Sequence, residues 1–301
     1  MPLEPLVGAV WSVAAVACVE VVLLAVVLLS AMARLRRTTL LAPIVWALVS
    51  LLIIATVECV AALQSEPVPE TWLSVLLFAA ASSSLCPVMA VLGAKRPQHR
   101  AWQWVVLTLW LIVLLPALQQ MLIPTGPAVT LFALWRVFLG GLICLTLLNY
   151  LPTRFWLAAI FSAVGQMLLM VEFLLPDAPF AGRWMVPAGL GFQLAAAAVV
   201  LLKAAPSNGS DASSQSGFPA SDVTRRVTSR WLSFRDAYGA FWALRIMQRV
   251  NQTAEICAWP VRLEWSGLVP YPAATIDTLS DELEQELGKT FDTLMRRFEA
   301  Q

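Results

Sequence analysis

Apolar residues run along most of this chain in long unbroken stretches, without the strict alternation of a half-buried strand. Seven stretches are long enough to cross a bilayer, whose core of roughly 30 Å takes about 20 residues of helix. They cover 6–32, 39–64, 72–93, 102–123, 128–150, 154–175 and 184–203. Short breaker-rich connections separate them: "RLRR", "SEPVPE", "KRPQHR", "PTGPAV", "LPTR" and "PDAPFAGR". Because lipid offers the backbone no hydrogen-bond partner, such solid runs are predicted to be helices. The first run follows Glu4 without a preceding basic residue and is longer than a cleavable leader needs, so it is expected to be a retained span.

The pattern changes after Lys203. "APSNGSDASSQSGFPAS" has linker composition, and 204–221 is expected to be a flexible tether. Beyond it, Val227, Trp231, Phe234, Tyr238, Trp242, Ile246, Val250 and Ala254 recur every three or four residues and predict an amphipathic helix, ended by Pro260. "VRLEW" alternates like a short strand. A last helix is predicted from 278 to 298, with Leu279, Leu283, Leu287, Phe291, Leu294 and Phe298 as its apolar stripe. The predicted fold class is therefore an all-α integral membrane bundle of seven transmembrane helices (1–203), a linker (204–221) and a small, mainly helical C-terminal domain (222–301).

Basic residues give this arrangement a direction. Arg34, Arg36 and Arg37 follow the first span, Lys95, Arg96 and Arg100 the third, Arg154 the fifth and Lys203 the seventh. The other side carries Arg183 with Glu4, Glu66, Glu70 and Asp177. Cytoplasmic loops collect Lys and Arg, so the N-terminus is expected outside and the tail in the cytoplasm. Composition agrees with a membrane protein: 59% of residues are hydrophobic and 13% charged, against about 25% charged in soluble domains. Arginine over lysine and abundant alanine suggest a bacterial inner membrane. The net charge of +1 gives no reason to expect nucleic acid.

Few residues carry chemistry. Glu20, Glu58, Arg136 and Glu172 fall inside predicted spans, where ionisable groups are costly and face protein or water. At 1.5 Å per residue, Glu20 and Arg136 lie within roughly 4 Å of mid-span, while Glu58 and Glu172 lie roughly 10 Å toward the outside. Gln119 and Gln120 share that outer depth. Three acids against one base leave carboxylates to be neutral, to share a cation or water in an outward cavity, or to act with Arg136 as interhelical glue. Glu20 is expected to face the fifth span or a small polar space. In the third span, Ser82, Ser83 and Ser84 precede Pro87 and are expected to bond carbonyls freed at a kink. On the tail, Arg225, Arg226, Arg230 and Arg235 beside Trp231 and Phe234 suit a helix lying on the inner leaflet. The competing reading is a packed mini-domain.

No histidine lies in a span and no span-seven lysine sits at mid-depth, so haem or zinc held by intramembrane histidines and a retinal Schiff base are excluded. No phosphate loop, dinucleotide fingerprint or nucleophile elbow occurs, and neither cofactor nor enzyme activity is expected. The five cysteines include no CxxC and read as small hydrophobes, not as a disulfide framework or a metal site. The implied partners are the lipid bilayer and a protein bound by the tail, with homo-oligomerisation a further way to complete a tail of marginal core. A sensor, scaffold or assembly factor is the expected function, with a small-solute or ion transporter as the alternative.

Overall fold

In a computed structural model the described residues are 4–63, 69–95, 98–123, 126, 128–176, 182–204, 222–271 and 281–299. They are almost entirely helical: α1 (Glu4–Leu35), α2 (Leu41–Leu63), α3 (Glu70–Ser83), α4 (Cys86–Leu92), α5 (His99–Val113), α6 (Leu115–Leu122), α7 (Ala133–Tyr150), α8 (Trp156–Leu174), α9 (Met185–Ala204), α10 (Asp222–Ile256) and α11 (Asp281–Met295). One two-stranded hairpin, β1 (Val261–Glu264) and β2 (Gly267–Pro270), interrupts them. Six segments are long and apolar enough to cross a membrane, α3 and α4 counting together, and a seventh joins them if α5 and α6, bent by 42°, cross as one. The predicted linker 204–221 lies outside the described residues except for its first, Ala204.

Contacts divide the chain into two units. The first holds Met1–Leu147 and Leu157–Val200, and the second holds Leu148–Trp156 and Leu201–Glu299. The second unit thus consists of the tail together with the connection between the fifth and sixth predicted spans.

In the first unit, one apolar cluster joins α1, α2, α3 and α9 through Ala17, Val21, Ile54, Val57, Ala80 and Leu190. A larger one centres on Phe78, Leu85, Leu139 and Met170, with the Phe78 and Phe173 rings edge to face at 5.0 Å. The break between α3 and α4 is the polar hub. Pro87 has no N–H, so the Ser83 carbonyl four residues earlier loses its helical donor. Ser50 Oγ on α2 donates to that carbonyl at 2.6 Å, and Gln166 Nε2 on α8 donates to the Ser84 carbonyl at 2.8 Å. The three serines themselves donate to the Ala79, Ala80 and Ala81 carbonyls one turn back. The hydroxyls thus take local acceptors, while the carbonyls opened at the break are served from other helices.

Helices α8 and α9 meet at two glycines. A methyl group at Gly165 would lie 2.7 Å from the Gly189 carbonyl oxygen, and one at Gly189 would lie 2.9 Å from the Gly165 carbonyl oxygen. Small residues permit this approach, and a side-chain clasp reinforces it. Ser162 Oγ donates to Gln193 Oε1 at 3.1 Å and Gln193 Nε2 to the Ser162 carbonyl at 3.0 Å. Gly165→Ala is therefore expected to destabilise the purified chain by about 1–3 kcal/mol. Gly140→Ala, which meets nothing within 4 Å, should cost less than Gly165→Ala. Thermal unfolding midpoints in detergent measure both.

The second unit has its own core. Every member of the predicted α10 stripe, from Val227 to Ala254, is buried. Phe298, in the single 3₁₀ turn after α11, packs its ring within 4.8, 4.9 and 5.2 Å of Phe234, Tyr238 and Trp242. Tyr238 Oη donates to the Phe298 carbonyl at 3.0 Å. Asn251 holds the hairpin by accepting from Leu263 N–H at 2.7 Å and donating to its carbonyl at 3.0 Å. The predicted strand is β1. Its partner β2, which the sequence pattern does not anticipate, pairs from Gly267 opposite Glu264 to Pro270 opposite Val261.

Candidate functional site

The charged groups of the first unit gather differently from their sequence order. Glu58, 1% exposed, is paired with Arg183, whose Nη2 lies 2.9 Å from Glu58 Oε2. Arg183 lies just before α9 and outside the predicted seventh span, so it was counted with the loop. Glu58, Glu172 and Arg183 together line a cavity of about 30 Å³ among α2, α3, α8 and the start of α9, room for about one water molecule. Among the described residues Glu58 Oε1 and Arg183 Nε are buried without a protein partner, and a water in that cavity suits both. Glu172 is otherwise exposed.

Arg136 does not join this group and, among the described residues, forms no ion pair. Helix α7 begins at Ala133, not at 128, so Arg136 sits in its first turn and not near mid-span. Glu20 faces α9 and not the fifth span: its Oε1 lies 3.2 Å from where a side chain at Gly191 would begin. Its Oε2 is buried without a hydrogen bond among the described residues. Gln119 is exposed, and buried Gln120 donates to the Gly126 carbonyl. The expected polar cluster is thus a tight Glu58–Arg183 pair with Glu172 beside it, and Glu20, Arg136 and Gln120 stand in separate surroundings.

The second unit carries the more elaborate assembly. Helix α10 is broken at Gly239, whose φ of +77° and ψ of −176° leave the helical region. Glycine is required there, because side chains seldom tolerate that φ and a methyl group would fall 2.3 Å from Asn149 Nδ2. Asn149 occupies the break. Its Oδ1 accepts from Phe241 N–H at 3.0 Å and so caps the second half of α10, while its Nδ2 donates to the Tyr238 carbonyl at 3.4 Å. Tyr150 Oη donates to the Ala237 carbonyl at 3.3 Å.

One turn earlier, Asp236 is 5% exposed and serves two arginines. Arg154 Nε lies 3.1 Å from its Oδ2, and Arg235 donates from Nε and Nη2 to its Oδ1 at 3.1 and 3.0 Å. Arg235 Nη1 also donates to the Trp265 carbonyl, and Trp265 Nε1 donates to the Pro152 carbonyl at 2.9 Å. The connection 148–156 is thus gripped at Asn149, Tyr150, Pro152 and Arg154 by α10 and the hairpin.

This grip redistributes the residues expected on a membrane-facing helix surface. Trp231 and Phe234 are buried in the tail core. Arg235 is engaged with Asp236 and Trp265, and Arg230 pairs with Asp292 and Glu299. Arg225 and Arg226 are exposed. A second exposed face, unremarked in the sequence, follows the break: Phe241, Leu244 and Ile256 stand out beside exposed Arg245 and Arg249. Its signal was two apolar residues, Phe241 and Leu244, off the buried stripe. Among the described residues no cluster of three or more His, Cys, Asp or Glu could hold a metal. No protein-family model, curated protein or solved structure matches the chain.

Proposed function

We propose that this chain is a seven-span inner-membrane protein, N-terminus outside and tail in the cytoplasm, that works as a sensor or scaffold. Its C-terminal unit binds a protein partner or the inner leaflet and is coupled to the spans through the connection 148–156. The observation that carries this reading is Asn149 seated in the break of α10 and capping Phe241 N–H. A shift at the end of α7 or the start of α8 would then reach the exposed Phe241 and Leu244 directly, whereas a tail held only by its linker would feel nothing. The basic loops on the tail side support the orientation. A carrier or channel draws less support, since about 30 Å³ beside Glu58 and Arg183 suits a water molecule and no larger solute.

The test uses the full chain in native membranes with a photo-crosslinking amino acid in place of Phe241, and another in place of exposed Ser233 as control. Adducts with a protein or with lipid are expected from position 241 and should weaken when Asn149 is also changed to Ala. A position 241 that crosslinks to nothing outside its own chain defeats the proposal. Adducts unaffected by Asn149→Ala defeat the coupling.

A further inference from the structure

The geometry points to a redox site that the sequence gives no sign of: Cys18 and Cys59 form a dithiol that closes to a disulfide at the expense of a lipid-soluble quinone. The two residues are 41 apart and share no CxxC signature, yet their sulfurs lie 3.7 Å from one another across the contact of α1 with α2. A disulfide holds its sulfurs at about 2.05 Å, so oxidation draws these two together by less than 2 Å. Cys59 is exposed and Cys18 partly so, on a surface continued by the exposed Val19 and Val22. In a bilayer that surface would meet lipid chains.

Depth selects the oxidant. Cys59 lies four residues from the end of the span that closes at Leu63, roughly 6 Å inside it at 1.5 Å per residue, and Cys18, whose sulfur is 3.7 Å away, shares that depth. Soluble disulfide-exchange enzymes do not reach that layer, whereas a quinone resides in it. In the reaction each thiol gives up one proton and one electron, one S–S bond forms, and the quinone takes both protons and both electrons to become the quinol. The product ties α1 to α2 next to Glu58, which neighbours Cys59 in the chain and holds Arg183.

The experiment uses the full chain in isolated membranes, exposed or not to a short-chain ubiquinone, then denatured and labelled with a maleimide polymer that shifts gel mobility. Without oxidant all five cysteines should label. With quinone the count is expected to fall from five labels per chain to three, and reductant should restore it. Cys18→Ser and Cys59→Ser should each abolish the quinone-dependent loss, and peptide mass spectrometry should find Cys18 joined to Cys59. Full labelling after quinone, loss that survives either substitution, or a covalent dimer in place of the internal link would each overturn the proposal. None of these outcomes depends on which side of the membrane the tail occupies, so failure here leaves the sensor reading to its own test.

Discussion

Gly239→Ala is expected to destabilise the C-terminal unit by about 2–6 kcal/mol, the sum of a disfavoured backbone conformation and an overpacked contact. Two separate causes act at one atom. The new Cβ would sit at a φ of +77°, and it would lie 2.3–2.6 Å from three side-chain atoms of Asn149. Asn149→Ala removes the obstacle but leaves Phe241 N–H without its cap, at about 1 kcal/mol. The two substitutions share a contact, so they should not add, and the double variant should be more stable than the sum of the singles implies. Protease cleavage within α10, followed in the full chain, reads all three. Wild-type resistance in Gly239→Ala would mean that α10 is not broken there.

The second large effect concerns the pair inside the first unit. Arg183→Met leaves Glu58, 1% exposed, without its counter-ion, and loss of one partner of a buried pair costs about 3–5 kcal/mol. Glu58→Gln should cost less, because Arg183 retains a path to solvent at 25% exposure. The double variant should recover much of the loss, since removing both charges together strands neither. Thermal unfolding in detergent gives the ranking. An Arg183→Met protein as stable as wild type would show that the pair contributes nothing.

Much of the fold was legible because it rests on long-range composition. Runs of apolar residues mark the spans whatever their neighbours are, and the α10 stripe from Val227 to Ala254 is buried throughout. Placement of charges was less legible, because it depends on where a helix starts. Counting Ala128 to Phe132 as helix places Arg136 toward mid-span, yet α7 opens at Ala133. Counting Arg183 as loop leaves out the base that pairs with Glu58, although a long arginine side chain can extend inward from a span end. Strand β2 was hidden because "GLVP" is too short to show a period and is defined by its pairing with β1.

The deepest gap was at Asn149 and Gly239. A lone glycine in a helical pattern is usually tolerated without a break, and "NYLPTR" reads as a terse connection between spans. Nothing local in either stretch announces that one fills the other ninety residues later in the chain. The same holds for Cys18 and Cys59, and for Ser50 and Gln166 at the carbonyls opened before Pro87. Each is a meeting of side chains from separate helices, fixed by packing and invisible to periodicity.

The seating of Asn149 in α10 also bears on how the protein is made. Chains emerge from the ribosome in order, and their parts fold as units as they appear. The stretch 148–156 is synthesised well before α10, so the C-terminal unit matures onto a piece of chain already delivered with the spans. A fragment beginning after the linker would carry every residue of its aromatic core, yet Phe241 N–H would lack its acceptor and Asp236 one of its two arginines. Supplying residues 148–156 as a separate peptide should restore what such a fragment lacks, making this connection a missing subunit of the tail as much as a loop of the membrane domain.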